Sequence, residues 1–380
     1  MAIFFIIFFV VYGSANFYLI YRGLEALTGY PVLKIIYSVV FIVAALSYIF
    51  TRFVNERLPE GLYDFLLWVG SLWFAFMLYF FLWVIFIDLL RLANYIIPFF
   101  PAFVKDNIAV TKIITFSVVL VSTCVIVFAG YLNTRKINMK TIEITAAKGS
   151  ADIDSLNIVM ASDFHLTPVN DGKLLKQIVE KMNSLKPDII LLPGDIVDEK
   201  GKILDRKKIG AAFEKLKPKY GIYASTGNHE YISGVKQGIE YMERHGINVL
   251  RDTSIKIDDK FYIAAREDRS KNNFSKSKRK TINEVLTGVD KNYPIILLDH
   301  TPLQLEEAMN NDITLQLSGH THHGQMFPIN LITKAIYEIS WGYLKKGNTH
   351  YYVSSGVGTW GPPVRLGSRS EIVNIKIKFE

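Results

Sequence analysis

Cysteine is all but missing from this chain, with Cys124 the only one in 380 residues. That excludes a disulfide framework and any structural metal site built on thiolates, and it leaves the compartment open. Charge is missing in long stretches. Met1 to Tyr21 carries none; Lys34 and Arg52 bracket a second uncharged run, Asp64 and Asp88 a third, and Lys112 and Arg135 a fourth. Each is roughly the length that crosses a hydrocarbon core of about 30 Å as a helix, and backbone groups in lipid must be satisfied internally. The reading is therefore four transmembrane helices in residues 1–134. A cleaved signal peptide fits poorly, because the first run lacks a basic start and "GSANFYLIYRG" is a weak cleavage site. Ionisable groups at midplane depth are also scarce: Asn16 and the pair Asp88/Arg91, three apart and able to meet near the interface, are the polar exceptions. A transport pathway would need more of them, so the bundle reads as an anchor.

The texture changes after Thr134. Charges recur every few residues and Gly/Pro turns appear, which marks a soluble domain of about 240 residues, large enough for its own core. Residues 135–154 read as a linker with a leading strand and 155–380 as the domain proper. The net charge of +8 favours anionic substrates or an anionic membrane surface. No nucleic-acid module is recognisable, and no nucleic-acid partner is expected. Four spans put both termini on one side. Arg22 directly after an uncharged first run places that side, and the domain with it, outside.

Histidine is scarce too, 8 residues, and all eight lie in the soluble part. Six close short polar strings that follow apolar, β-prone runs. "SLNIVMASDFH" ends in Asp163 and His165, "PDIILLPGD" in Asp195, "YGIYASTGNHE" in Asn228, His229 and Glu230, "YPIILLDH" in His300, and "ITLQLSGHTHHG" in His320, His322 and His323. The runs read as buried strands. Apolar residues at 174, 175, 178, 179 and 182 give a helix between the first two strands, and "GVKQGIEYMERHG" and "PLQLEEAMNN" read as further helices. The result is a layered α/β domain with polar groups collected at strand ends, where open α/β sheets place their sites. Carboxylate, imidazole and one amide form a sulfur-free ligand set suited to Mn, Fe or Zn. There are too many ligands for one ion and enough for two, and a pair of divalent cations about 3.5–4 Å apart suits displacement at phosphorus.

In that order, "DFH", "GD", "GNHE", "H" and "GHTH" resemble the five-motif signature of the calcineurin-like metallophosphoesterases, over residues 155–378. "SGHTHHGQ" and "YYVSSGVGTWGPPVRLG" resemble the bacterial, membrane-associated branch, which includes pyrophosphatases of UDP-diacylglucosamine and transmembrane metallophosphoesterase-domain proteins. The resemblance implies an α/β/β/α sandwich behind the transmembrane anchor. It implies that Asp163, His165 and His322 hold one metal, that Asn228, His300 and His320 hold the other, and that Asp195 bridges them. It makes His229 the histidine near the phosphate that donates a proton to the leaving oxygen or stabilises developing charge, with Glu230 orienting its ring. The implied activity is hydrolysis of a phosphodiester, pyrophosphate or phosphomonoester, with a phosphorylated lipid or small molecule as substrate. A protein phosphatase or cyclic-nucleotide phosphodiesterase stays open, since no nucleotide-reading motif decides. A non-catalytic receptor or scaffold on a degenerate domain, or a transporter with a regulatory domain, is disfavoured, because every expected ligand type is present.

Four features fall outside the signature. His323 stands where the branch has glycine and reads as a loop residue, since histidine tolerates positive φ. His245 and His350 read as structural. Arg365 reads as phosphate contact or structural support. The basic run Arg266 to Lys280 reads as a solvated loop or a contact to anionic head groups, and "MFPINLITKAIYEISWGYL" as a core or edge segment or an apolar lip against the bilayer.

Overall fold

The chain divides into two compact units, one holding the residues up to Leu132 with Gly361–Val364, the other Asn133–Trp360 with Arg365–Glu380. The structure, a computed structural model, describes residues 2–54, 57–169 and 172–380.

In the first unit, α1 (Ala2–Ala26), α2 (Pro31–Val54), α3 (Glu60–Ile96) and α5 (Ile108–Thr134) are long and apolar enough to cross a membrane, and the short α4 (Ala102–Asp106) joins the last two. Tyr12, Leu19, Phe41, Ala45 and Trp73 form the buried contact of α1, α2 and α3. Lipid tails are as apolar as these side chains, so close approach and polar pins have to hold such helices together. Gly70 supplies the approach: a Cβ there would lie 2.3 Å from the backbone nitrogen of Tyr48. Asn16 supplies the pin. Its Oδ1 accepts from Trp73 Nε1 at 2.9 Å and its Nδ2 donates to the Tyr12 carbonyl at 2.8 Å. The helix α3 spans 37 residues, well beyond the uncharged run. Asp88, on its added stretch, meets Arg91 as expected, and also Arg22 and Tyr18 of α1.

The second unit is built on two six-stranded sheets. The first has the order β1 (Ile137–Ala146), β12 (Ser370–Phe379), β2 (Ser155–Met160), β3 (Ile189–Pro193), β4 (Ile222–Ser225), β5 (Asn248–Val249). The second has the order β10 (Gly342–Lys346), β11 (Thr349–Val353), β9 (Leu315–Ser318), β8 (Ile295–Leu298), β7 (Phe261–Ala265), β6 (Thr253–Ile257). The centre of each sheet is parallel: β2, β3, β4 and β5 in one, β7, β8, β9 and β11 in the other. Parallel strands are covered on both faces and read as continuous apolar runs, which is how these appear in sequence. The two faces separate by the strand period of two. Ile158, Met160, Ile189, Leu191, Ile296, Leu298, Leu315 and Leu317 fill the layer between the sheets. Val159, Ile190 and Leu192 pack on α6 (Gly172–Ser184) and α9 (Val235–Arg244), which flank the shorter α7 (Gly201–Arg206) and α8 (Asn228–Ser233). Ile295 and Leu297 pack under the short helices α11 (Ile282–Val285) and α12 (Glu306–Met309), which follow α10 (Lys271–Phe274). The layers are α/β/β/α, as the resemblance implied.

Two expectations change here. The run 266–280 is not merely solvated. Arg266 and Arg279 fold inward onto Asp299, Arg266 at 3.3 Å, while Lys276 and Lys278 stay exposed. The segment after the last motif is divided: α13 (Ile329–Ile336) buries none of its residues, while Ile339 joins the core and Gly342–Lys346 forms an edge strand.

Candidate metal centre

Five strands, β2, β3 and β4 of one sheet and β8 and β9 of the other, end at the same edge, and each delivers one polar string there. The loops that follow are short and turn sharply. Asp163, His165, Asp195, His320 and His322 all have φ between 45° and 70°, a region that costs a non-glycine residue free energy and that clusters at functional sites. The motif glycines explain how these loops come so close. A Cβ at Gly227 would lie 2.2 Å from Asp195 Oδ1, and one at Gly319 would lie 2.3 Å from Asp163 Oδ2. Each glycine precedes one expected ligand and makes room for another from a different strand.

The side chains gather into adjoining groups. Asp163, His165 and His322 can direct one ligand atom each to a common point, as can Asp195, His300 and His320; His165, Asp195 and His229 form a group between them. His165 Nε2 lies 2.9 Å from His322 Nε2, and His322 Nε2 3.4 Å from Asp163 Oδ1. His300 Nε2 lies 3.0 Å from Asp195 Oδ2, and His165 Nε2 3.8 Å from the same oxygen, so Asp195 adjoins both groups. Asn228 Oδ1 is 2.8 Å from His320 Nδ1. All seven expected ligands are brought together.

The tautomers decide whether this is a cation site. The Nδ1 of His300 is 2.7 Å from the carbonyl of Pro193, so it must carry hydrogen and donate. In the neutral ring its Nε2 is then a lone pair, fully buried, without a hydrogen-bond partner among the described residues and 3.0 Å from Asp195 Oδ2. His165 differs: its Nε2 meets His322 Nε2 at 2.9 Å, and its Nδ1 lies 3.4 Å from Asp198 Oδ2. An imidazole whose outer nitrogen donates to a carbonyl or carboxylate, leaving its inner nitrogen toward other donors, is the arrangement of a metal ligand. Two divalent cations therefore fit the residues present. The carboxylates also call for positive charge at this point, which a proton on His300 satisfies when no cation does. Burial pushes the His300 imidazole down, but the Asp195 carboxylate overrides this and holds it well above its ordinary value. Burial likewise opposes ionisation of Asp195, and His300 and His229 hold it well below the carboxylate range. Positive charge is thus favoured between His300 and Asp195. His322 is pushed well below the ordinary range by burial, His165 and Arg365, which keeps it neutral.

Three residues depart from the expected roles. Glu230 does not orient His229. Both its oxygens accept from backbone amides, Oε1 from Ile196 at 2.7 Å and Val197 at 2.9 Å, Oε2 from Gly227 at 2.7 Å and Asp195 at 3.1 Å. It ties the Asp195 loop to the Asn228 loop from beneath. The partner of His229 is Asp198, 2.6 Å from Nδ1. Burial lowers the His229 pKa, but Asp198 and Asp195 raise it to about 9. Asp198 was missed in sequence, although a second carboxylate in the same loop, "GDIVDEK", was the available signal. Arg365 is wholly buried and does not face a substrate. Its Nη2 donates to the carbonyls of Ser355 and Gly356 at 2.9 and 3.1 Å and of Gly358 at 2.5 Å. Nη1 donates to Ser368 at 3.0 Å, and Nη2 lies 3.4 Å from His322 Nδ1. It shapes the loop behind His322. His323, with φ 47°, turns away to Ser340 Oγ at 3.1 Å and to the Trp341 ring. His245 is 2.8 Å from Glu214 and His350 2.8 Å from Tyr343, both away from the centre.

The chain is similar to several known proteins. Residues 156–324 match the family model described as calcineurin-like phosphoesterase. A transmembrane protein with metallophosphoesterase domain from Danio rerio is 31% identical over 271 residues, 68% of this chain and 62% of that protein. An uncharacterized metallophosphoesterase from Aquifex aeolicus is 34% identical over 245 residues, 64% of this chain and 92% of that protein. Another, from Campylobacter jejuni, is 26% identical over 385 residues, 99% of this chain and 98% of that protein. The chain spans 62% and 60% of the length of the Danio rerio protein and its Bos taurus counterpart.

Proposed function

Because the chain belongs to the calcineurin-like metallophosphoesterase family, we propose that it is a membrane-bound, metal-dependent hydrolase of phosphoric esters acting on a phosphorylated lipid. The observation that carries the hydrolase reading is the convergence of all seven donor residues on adjoining groups that meet at Asp195. A pair of divalent cations bound there would polarise the phosphoryl oxygens and make a nucleophile available at neutral pH. Asp163, His165 and His322 would hold one, Asn228, His300 and His320 the other, with Asp195 adjoining both groups. The hydrogen bond that His229 Nδ1 donates to Asp198 fixes the ring, so that Nε2 is the nitrogen free to give a proton to the departing oxygen. Asp198 also touches His165, which couples the ring that would deliver the proton to the ring that would hold a cation.

The rim of the centre supports a lipid. Helix α13 turns Leu331, Ile332 and Ile336 outward, each more than half exposed, and Phe327, Trp341 and Trp360 are exposed beside it. The rim reaches the chemistry: the Tyr337 ring is 6.1 Å from that of His320, and the Trp360 ring 6.0 Å from that of His229. An apolar border around a charged centre suits a substrate that joins a phosphoryl group to acyl chains. The catalytic unit works outside the membrane, by the same Arg22 argument; protease added to intact cells should then cleave it.

The test is full-length protein in mild detergent, loaded in turn with Mn, Fe and Zn and incubated with a total membrane lipid extract and with an aryl phosphodiester. Mass spectrometry should find a lipid cleaved at phosphorus, and Asp195→Asn should abolish the product. Turnover of the aryl ester alone would remove the lipid but keep the hydrolase. Inertness toward both, with every metal, would remove the hydrolase.

A further inference from the structure

The membrane bundle contains a cavity of about 450 Å³ between α1, α2, α3 and α5, within the size range of small-ligand sites. Its walls are apolar over most of their length, with Leu33, Ile36, Val40, Val84, Ile113 and Phe116 among them. One end is different. Arg22, Arg91 and Lys112 line it together with a single carboxylate, Glu25. Arg22 reaches Glu25 at 2.5 Å and also pairs with Asp88; Lys112 lies 3.3 Å from Glu25 and Arg91 3.3 Å from Asp88. Three cations against two carboxylates leave one positive charge in excess. None of the three cations is fully buried, and Arg91 is the most open, its side chain 42% exposed.

The depth of this end follows from chain order. Arg22 is near the C-terminus of α1, Leu33 near the N-terminus of α2, Arg91 near the C-terminus of α3 and Lys112 near the N-terminus of α5. Helices that run alternately up and down bring those four ends to one membrane surface. The charged end therefore lies at the level of lipid head groups, and the apolar length points into the hydrocarbon. Water would be poorly held among such walls, which offer it few polar partners. An acyl chain meets them on equal terms, and a phosphate at the mouth meets the excess charge.

We propose that this cavity is a binding site for one anionic phospholipid of the surrounding bilayer, its phosphate held by Arg22, Arg91 and Lys112 and an acyl chain lying between α2, α3 and α5. The site is distinct from the metal centre, all of whose residues belong to the other unit, and it makes the bundle more than an anchor.

The experiment is native mass spectrometry of the full-length chain, released from detergent after incubation with equal amounts of phosphatidylglycerol and phosphatidylcholine. The wild type should retain one phosphatidylglycerol in preference to phosphatidylcholine. R91Q/K112Q should weaken that retention by about 30-fold, from the loss of two cations near the surface. S117F, which fills the cavity from α5 and leaves the charges intact, should expel the lipid as well. Monodisperse elution and unchanged helicity would show that both variants fold. Equal retention of the two lipids by the wild type, no retained lipid, or retention untouched by both variants would each overturn the proposal. None of these readouts involves turnover, so failure of the phosphoesterase reading would leave this result standing, and the reverse.

Discussion

At the scale of single residues, carboxylates of similar appearance have separate tasks that the hydrogen bonds tell apart. Asp198 holds the ring of His229 and touches His165. Asp198→Asn should therefore lower kcat by about 10–100-fold, the usual cost of removing a partner of this kind, while bound metal measured by mass spectrometry changes little. Glu230 holds only backbone amides. Glu230→Ala strands those donors in a dry interior and should destabilise the unit by about 3 kcal/mol or more, read as a lowered thermal midpoint; unchanged stability with lost turnover would return Glu230 to the catalytic role. Arg365 belongs with Glu230. Its guanidinium fork is spent on carbonyls, so Arg365→Lys should lower stability and leave KM alone. The residues that gather at the centre were legible because residue type and order carry their chemistry. The orienting carboxylate was not, because adjacency in sequence misleads at a helix start: His229 and Glu230 follow one another in α8, where successive side chains do not face each other. Arg365 was left undecided because a motif cannot say whether a guanidinium points at solvent or at its own loop.

At the scale of elements, the strands were readable and the loops between them only by their ends. Apolar runs such as Ile189–Pro193 announce strands buried on both faces. Charge, however, marks where lipid ends rather than where a helix ends. The run after Asp64 stops at Asp88 in sequence, but α3 continues to Ile96, because Leu89, Leu90, Arg91 and Leu92 are good helix formers and no proline intervenes before Pro98. The helix expected over "PLQLEEAMNN" shrinks to Glu306–Met309, since Gln304 sits at φ 58° and breaks it. What positions the metal centre is the approach of one loop to the next, and there a single methyl group decides. Gly227→Ala puts a carbon 2.2 Å from Asp195 Oδ1 and 2.5 Å from the Asp195 backbone nitrogen, so the two loops must part. The variant should bind Mn at least 10-fold more weakly in titration while its far-UV spectrum stays that of the folded chain. Wild-type affinity would mean that the close packing of the "GN" and "GD" loops does not set the centre.

At the scale of the whole molecule, the metal centre is the place where two separate sheets are tied at one edge. Asp163, Asp195 and Asn228 come from strands of the first sheet, His300, His320 and His322 from strands of the second. Elsewhere the sheets are held by the apolar layer between them, which is non-directional and tolerates sliding. At the ligand edge they are held by groups that repel or compete for protons unless positive charge lies among them. A ligand that binds only the folded state stabilises it by mass action, by about 2.7 kcal/mol at 100 times its dissociation constant. For a unit of this size that corresponds to roughly 5–10 °C in the thermal midpoint. Dialysis of the full-length protein against a chelator should accordingly lower the near-UV transition of the catalytic unit by that amount, and Mn added back should restore it. The helices α1, α2, α3 and α5 contribute none of the expected ligands, so the helical far-UV signal of the bundle should melt at the same temperature with and without metal. A midpoint of the catalytic unit that ignores chelation would mean that the apolar layer alone sets the register of the two sheets, and that cations arrive at a centre already held shut without them.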